Sequence, residues 1–195
     1  FKALKKHHIE PIVTLSHYEM PLYLSKKYHG WLDRRLIDFF VTYAQAAFES
    51  FGEYVKYWLT FNEIDSVGRH PFITAGLIPD QIPDDNLESA VYQSLHHQYV
   101  AAAKATTLLH QMSPSSRMGS MLTKLTTYPN TANPDDVLLA LQRNLDNYAP
   151  ADVQVFGTYP PLYERYLKNK GIEIKKGKDD DAVLKKGTAD YLAFS

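Results

Sequence analysis

The stretch Tyr57-Trp58-Leu59-Thr60-Phe61-Asn62-Glu63 joins five mostly apolar residues directly to an amide and a carboxylic acid. The nearly continuous apolar, β-branched and aromatic run over residues 55–61 predicts a fully buried strand. Asn62 and Glu63 then fall at the carboxyl end of this strand. In barrels and open sheets of parallel strands, ligands and catalytic side chains lie at that end. We therefore expect a functional site here, with Glu63 as a general acid whose pKa is raised by burial beside aromatic residues.

The regions on either side of this strand alternate between predicted helices and predicted strands. The predicted strands are residues 9–15, 55–61, 117–122 and 190–195. The predicted helical segments are residues 1–7, residues 33–51, a helix that ends near residue 112, one that begins at residue 133, and one that begins near residue 160 and stops by residue 171. This alternation implies parallel strands with right-handed crossovers. An open doubly wound sheet and a (β/α)8 barrel both fit it.

Local sequence signals predict where two helices begin, which segment is a long loop and which segment is solvated. Asp33 is a predicted N-cap for a helix whose buried side should carry Leu36, Phe40, Tyr43, Ala47 and Phe51. Residues 85–88 resemble a capping box for the next long helix. The glycine- and proline-containing stretch 66–83 is expected to be a long functional loop, and the charged stretch 175–186 is expected to be solvated.

Composition excludes several classes of function. The chain of 195 residues is long enough for one domain with a sizeable core. Its net charge of −1 creates no field that would attract nucleic acid or an anionic membrane, and it has no cysteine for disulfide or thiolate chemistry. No apolar run reaches transmembrane length. No glycine-rich nucleotide motif follows a predicted strand, which disfavours a nucleotide-dependent oxidoreductase.

Polar residues also follow two other predicted strands, at His17 and Glu19 and at Lys124 and Tyr128. Barrel sites are built where several strand ends converge. Position alone is not specific, because a lone glutamate after a strand is usually a solvated loop residue and a lone histidine is usually a satisfied core residue. The His96-His97 pair lies within a predicted helix without partners at metal-binding spacing, so we expect it to be structural.

Several motifs, in matching order and spacing, resemble those of glycoside hydrolase family 1. They are Thr14-Leu15-Ser16-His17-Tyr18-Glu19-Met20-Pro21, Tyr28-His29-Gly30-Trp31, Phe51-Gly52 and Trp58-Leu59-Thr60-Phe61-Asn62-Glu63. The motifs that resemble its bacterial 6-phospho-β-glucosidase branch are Ser16-His17-Tyr18-Glu19-Met20-Pro21, Asn62-Glu63-Ile64, Leu95-His96-His97-Gln98, Asn133-Pro134-Asp135-Asp136 and Phe194-Ser195. The resemblance covers essentially the whole chain.

The resemblance implies a (β/α)8 TIM barrel, an α/β fold, of which residues 1–195 would be the central part of a single domain, about strands three to six, with no second domain. It implies a retaining, cytoplasmic hydrolase that cleaves 6-phospho-β-D-glucosides to glucose 6-phosphate and an aglycone. By match to the family motifs, Glu63 would be the acid/base, Asn62 would bind the 2-hydroxyl of the cleaved sugar, and His17 would bind another hydroxyl. The reaction needs no metal and no organic cofactor, and the small-molecule substrate is the implied partner, with neither nucleic acid nor membrane.

A second catalytic carboxyl group is required, because retaining glycosidases use two, about 5–5.5 Å apart. In this family the nucleophile is a glutamate in a Thr-Glu-Asn-Gly-like motif on the seventh strand, and that motif does not occur here. Glu19 is a nearby acid, but the family does not use its position as the nucleophile. The sequence also begins without Met and ends within a predicted strand. We therefore expect a segment of a longer chain that is inactive by itself and exposes two sheet edges.

Two alternatives remain open at this point. The first is an enzyme of the same family that acts on unphosphorylated β-glucosides or β-galactosides, since the residues that would bind the 6-phosphate lie outside this segment. The second is a barrel fragment that binds sugar or has a structural role without catalysis. The sequence also leaves open the aglycone preference and the oligomeric state, and a homo-oligomer is one of the arrangements it allows.

Overall fold

Four parallel strands form one sheet in the computed structural model, which describes residues 1–82 and 87–195. The strands are β1 (Ile12–Ser16), β2 (Tyr57–Phe61), β3 (Arg117–Leu122) and β4 (Tyr191–Phe194). All four predicted strands are therefore confirmed. β1 begins three residues later than predicted, directly after Pro11, because proline lacks the N–H that a strand ladder requires.

The order of strands across the sheet is β1-β2-β3-β4, and each pairing is parallel. Every crossover therefore moves in the same direction across the sheet. Right-handed crossovers in one direction place their helices on the same face. A doubly wound sheet instead reverses direction at a switch point and covers both faces. The topology fits consecutive units of a (β/α) barrel and excludes the doubly wound alternative for these strands.

Helices occupy most of the described connections. They are α1 (Lys2–Lys6), α2 (Leu22–Tyr28), α3 (Leu36–Phe51), α4 (Pro71–Ala75), α5 (Leu87–Met112), α6 (Pro134–Phe156), α7 (Pro161–Asn169) and α8 (Asp180–Lys186). Three short 3-10 turns cover Gly30–Leu32, Ile64–Gly68 and Pro79–Gln81. The predicted loop 66–83 thus contains α4, the turn Pro79–Gln81 and the end of the turn Ile64–Gly68. The predicted capping box begins at residues 85 and 86, which lie outside the described residues, so it stays a prediction.

The buried side of α3 differs from the predicted stripe. Its buried residues are Leu36, Ile37, Phe40, Ala44 and Phe48. Phe48 packs edge-on against Trp58 of β2, with ring centroids 5.0 Å apart, and this contact fixes the side that faces the sheet. Tyr43 and Phe51, which were predicted to be buried, are 53% and 43% exposed. The Tyr43 hydroxyl instead donates to the carbonyl oxygen of Leu15, at 2.8 Å.

The charged stretch 175–186 was predicted to be solvated, and this is wrong at Asp180 and Leu184 of α8, which are buried. Asp180 is 2% exposed and lies between Arg34, which donates two hydrogen bonds to it, and the buried His96, whose Nε2 is 2.8 Å from Oδ2. Burial alone would raise the pKa of Asp180, but the hydrogen bonds from Arg34 and His96 outweigh burial and hold that pKa well below its usual range. The ion pair fastens α8 to the segment before α3 and to α5.

Three residues that lie side by side on neighbouring strands pack closely on one face of the sheet. Leu59 is in register with Gly119, and Gly119 is in register with Tyr191. A side chain at Gly119 would collide with the Tyr191 ring, so glycine leaves the space that this ring fills. The Tyr191 hydroxyl crosses β3 and donates to the carbonyl oxygen of Trp58, at 2.8 Å.

The two outer strands expose apolar side chains. Ile12 on β1 is 64% exposed, and Leu192 and Phe194 on β4 are 48% and 63% exposed. Among the helices in the described ranges, none combines the length and apolar character needed to cross a membrane.

Candidate active site

The carboxyl ends of β1 and β2 lie next to each other. Ser16 pairs with Phe61, and the backbone N–H of Asn62 donates to the carbonyl oxygen of Ser16, at 2.9 Å. The pairing therefore continues to the residue before Glu63. Because the strands are parallel, the segment that follows Ser16 and the turn that follows Asn62 leave the sheet at the same edge.

Glu63 occupies a tight turn between β2 and the 3-10 turn Ile64–Gly68. Its backbone is left-handed, with φ of 43° and ψ of 56°, and its carbonyl oxygen accepts from the N–H of Ser66 at 2.8 Å. The half-buried carboxyl group is held at both oxygens. Oε2 accepts from the hydroxyl of Tyr18, and Oε1 accepts from the hydroxyl of Ser195. The strands β1, β2 and β4 thus all contribute to this site.

The pKa of Glu63 was predicted to be raised, and this is wrong. The hydrogen bond from Ser195, followed by that from Tyr18, stabilises the carboxylate more than partial burial destabilises it, so the pKa of Glu63 is lowered. Thr123 and the charge of Arg69 act in the same direction. The aromatic neighbours of Glu63 are visible in the sequence around it, whereas its hydroxyl donors come from neighbouring strand ends.

Tyr18 is a residue of the candidate site that was not predicted from the sequence. Its backbone is also left-handed, with φ of 75°, which aims the side chain from the end of β1 toward Glu63. Partial burial and the Glu63 carboxylate raise the pKa of Tyr18 to about 12, so its hydroxyl remains a donor. The residue was present in the quoted Ser-His-Tyr-Glu-Met-Pro motif, but its spacing gave no sign of this contact.

Asn62 and His17 follow the ends of β2 and β1 and lie in different environments. Asn62 is 8% exposed, at the end of β2. His17 is exposed, and its ring packs edge-on against the Tyr18 ring with centroids 5.2 Å apart. The Glu19 carboxylate accepts from the backbone N–H of His17, at 2.8 and 2.6 Å, so this acid caps the loop. The imidazole is left facing solvent at the carboxyl edge of the sheet.

The residues after β3 contribute differently from the prediction. The Lys124 ammonium lies over the rings of Tyr148 and Phe194, 6.0 and 5.8 Å from their centroids. Tyr128 is 81% exposed and is not brought to Glu63. Thr123, which was not singled out, is the residue of this loop that faces the candidate site.

A buried carboxylate lies two residues after Glu63. The side chain of Asp65 is 1% exposed and accepts hydrogen bonds from the N–H of Thr123 at 2.7 Å, from Nδ2 of Asn147 at 2.8 Å and from Nη2 of Arg69 at 3.0 Å. Burial raises the pKa of Asp65, and the hydrogen bonds from Thr123 and Arg69 oppose that shift. A cavity of about 710 Å³ lies beside Asp65 and Arg69, and Glu63 is not among its lining residues.

The His96-His97 pair has the predicted structural role. His96 bonds to Tyr159 and Asp180, at 2.9 and 2.8 Å, and His97 Nδ1 donates to the carbonyl oxygen of Trp31, at 2.8 Å. Burial lowers the pKa of both histidines. Within residues 1–82 and 87–195, no group of three or more His, Asp or Glu is arranged to hold a metal ion.

The sequence profile of glycosyl hydrolase family 1 matches residues 1–195. The chain belongs to this family. It is 45% identical over 195 residues to the aryl-phospho-β-D-glucosidase BglH of Bacillus subtilis (strain 168) and 42% identical over 195 residues to the 6-phospho-β-glucosidase AscB of Escherichia coli (strain K12). These alignments cover 100% of this chain but 41% and 40% of the relatives, so the chain spans about two fifths of their length.

Solved structures of the family confirm the fold. The family 1 β-glucosidase from Thermotoga maritima aligns with a TM-score of 0.82 at 23% identity, over 99% of this chain and 42% of that one. The β-glucosidase from Exiguobacterium antarcticum B7 aligns with a TM-score of 0.79 over 100% of this chain and 43% of that one, also at 23% identity. The four parallel strands of this family 1 chain and the helices between them are therefore a segment of a (β/α)8 barrel.

Proposed function

We propose that residues 1–195 are the central part, about strands three to six, of a single barrel domain that hydrolyses 6-phospho-β-D-glucosides with retention of configuration. The observation that carries this proposal is the position of Glu63. It follows the apolar strand β2 at the carboxyl edge of the sheet, its neighbour is Asn62, and hydroxyl groups from two other strand ends meet its carboxyl oxygens.

In this mechanism Glu63 first donates a proton to the glycosidic oxygen as the bond to the anomeric carbon breaks. It then removes a proton from the water that hydrolyses the glycosyl-enzyme intermediate. Asn62 holds the 2-hydroxyl of the cleaved sugar, and the exposed imidazole of His17 holds another hydroxyl. The nucleophile is a second carboxylate from outside residues 1–195, about 5–5.5 Å from Glu63.

The lowered pKa of Glu63 fits the base half of this cycle. In the first step, in which Glu63 donates a proton to the glycosidic oxygen, the pKa of Glu63 has to be higher. A nucleophile carboxylate about 5–5.5 Å away would do this by like-charge repulsion until it is consumed in the covalent intermediate. Glu63 would then be a stronger acid during hydrolysis of the intermediate, when it has to hold a negative charge.

The degree of similarity supports a phosphorylated substrate. Relatives at 45% and 42% identity are named for phospho-β-glucosides, whereas the aligned β-glucosidase structures are 23% identical. Phosphorylated glucosides arise inside bacteria during uptake, so we place the enzyme in the cytoplasm. The exposed apolar residues on β1 and β4 support the domain proposal, because further strands of a barrel would cover both edges.

The direct test is the hydrolysis of 4-nitrophenyl β-D-glucoside with and without a 6-phosphate by the full-length protein that contains these residues. We expect kcat/KM to be at least about 100-fold higher for the phosphorylated compound, since a site built for a charged group rejects an analogue that lacks it. A preference for the unphosphorylated compound would support the alternative family activity. If neither compound is hydrolysed, the result would support a non-catalytic barrel. If residues 1–195 alone hydrolyse either compound, the result would contradict the need for a second carboxylate.

A further inference from the structure

Asp65 is a buried acid that the proposed reaction does not use. A buried carboxylate destabilises a fold unless it is paired and fully hydrogen-bonded. Asp65 meets this condition through one backbone N–H, one side-chain amide and one guanidinium, at distances between 2.7 and 3.0 Å. A carboxylate with all of its contacts inside the protein has a structural or positioning task, and the identity of its partners indicates which.

The three donors belong to three different parts of the site. Thr123 begins the loop after β3, Asn147 lies on α6, and Arg69 ends the turn that follows Glu63. Through them, Asp65 fastens the turn that carries Glu63 to the neighbouring strand end and to the helix behind it.

The same groups make a second set of bonds to the loop after β3. Nη2 of Arg69 also donates to Oγ1 of Thr123, at 2.9 Å, and Oδ1 of Asn147 accepts from the N–H of Leu125, at 3.2 Å. Thr123 in turn faces the carboxyl group of Glu63. The network therefore fixes both the turn that carries Glu63 and the loop that contacts its side chain.

The backbone of Glu63 requires such support. A left-handed conformation at a residue other than glycine is strained and persists only where the surrounding structure imposes it. The 2.8 Å bond from Ser66 to the Glu63 carbonyl closes the turn locally. The bonds of Asp65 are buried polar connections between this turn and the rest of the site.

We propose that Asp65 is a positioning residue for Glu63, holding its turn and the facing Thr123 loop so that the Glu63 carboxyl group reaches the glycosidic oxygen. The proposal rests on the acid/base function proposed for Glu63. Its signature is a selective loss of proton donation. The kcat/KM should fall for substrates whose leaving group needs a proton, and it should change little for substrates whose leaving group departs as a stable anion.

The test measures kcat/KM of the full-length Asp65→Asn enzyme on two substrates. These are the 6-phospho-β-D-glucosides of 2,4-dinitrophenol, an activated leaving group, and of methanol, a poor one. We expect a loss of about 10- to 100-fold on the methyl glucoside and less than about 3-fold on the dinitrophenyl glucoside. Asp38→Asn makes the same chemical change at an exposed ion pair with Lys104, and it should leave both values unchanged.

A folded Asp65→Asn enzyme that loses the same factor on both substrates, or loses nothing, overturns the proposal. If Asp65→Asn does not fold, Asn147→Ala decides by the same comparison, because it removes one donor to Asp65 from α6. Glu63→Gln separates the two proposals. If Glu63→Gln loses the same factor on both substrates, the proposed function is contradicted. If Glu63→Gln loses more activity on the methyl glucoside, but Asp65→Asn and Asn147→Ala do not, only the positioning proposal is contradicted.

Discussion

The hydroxyl of Tyr18 donates a hydrogen bond to Oε2 of Glu63 across 45 positions of the sequence. The opposite oxygen accepts from Ser195, so hydroxyl groups from the ends of β1 and β4 hold the carboxyl group from two sides. This arrangement favours the charged form of Glu63, and it sets the pH at which the group can act as an acid.

Replacing Tyr18 with Phe in the full-length enzyme should raise the pKa of Glu63, because one donor to the carboxylate is lost while Ser195, Thr123 and Arg69 remain. The acid form is the one that kcat/KM requires, and activity is lost as the pH rises through its pKa. The basic limb of the pH profile should therefore move to higher pH. Tyr128→Phe, at a residue that is 81% exposed, is the matched control. An unmoved basic limb, or one moved to lower pH, would contradict the account.

Asp180→Asn should lower the free energy of unfolding by about 2–3 kcal/mol, because it leaves Arg34 and the buried His96 without their carboxylate partner. The partly exposed guanidinium of Arg34 regains water, so the cost should be below that of breaking a fully buried pair. Urea unfolding at neutral pH measures the difference. Asp181→Asn, at an exposed neighbouring acid paired with Lys176, should change the stability by less than about 0.5 kcal/mol.

Asp180 also makes the stability depend on pH in the acid range. Its folded-state pKa is depressed below the unfolded value, so its contribution is fully present above about pH 4 and is lost as the pH falls further. The unfolding free energy of Asp180→Asn should consequently fall less steeply than that of the parent protein below about pH 4. Parallel acid profiles for the two proteins would contradict this assignment.

Gly30→Ala should destabilise the fold by about 3 kcal/mol or more, because a methyl group there would collide with the carbonyl oxygen of Ala75 in a backbone with φ of 58°. Gly171 has a similar φ of 72° but open space around its Cα, so Gly171→Ala isolates the cost of the backbone conformation, about 1 kcal/mol. Equal losses of stability in the two variants would show that the contact with α4 is not the reason for glycine at position 30.

The parts of the fold that could be predicted are those with strong local signals. The apolar run into Asn62 and Glu63 predicted β2 and the position of these two residues at its carboxyl end. The motif Asn133-Pro134 correctly predicted the start of α6, and the Asn133 side chain accepts from the N–H of Asp135 at 2.9 Å. Parallel strands followed from the alternation of elements, the choice of a barrel over a doubly wound sheet followed from the family resemblance, and the strand order confirms that choice.

The rest depended on contacts between distant positions. Tyr18 and Asp65 each have ordinary surroundings in the sequence, and nothing in their spacing reveals a bond to Glu63 or to Asn147. Asp180 lies in a strongly charged stretch, and the approach of the distant residues Arg34 and His96 explains its burial. For the same reason the Glu63 pKa was predicted in the wrong direction, since its donors come from other strand ends.

The most direct test of the central claim is the leaving-group dependence of Glu63→Gln in the full-length enzyme. If Glu63 is the acid/base, kcat/KM for methyl 6-phospho-β-D-glucoside should fall by at least about 100-fold, while that for the 2,4-dinitrophenyl compound should change by less than about 10-fold. Hydrolysis of the intermediate should then limit kcat on the activated substrate. Equal losses on the two substrates, or full activity on the methyl glucoside, would contradict the assignment of Glu63.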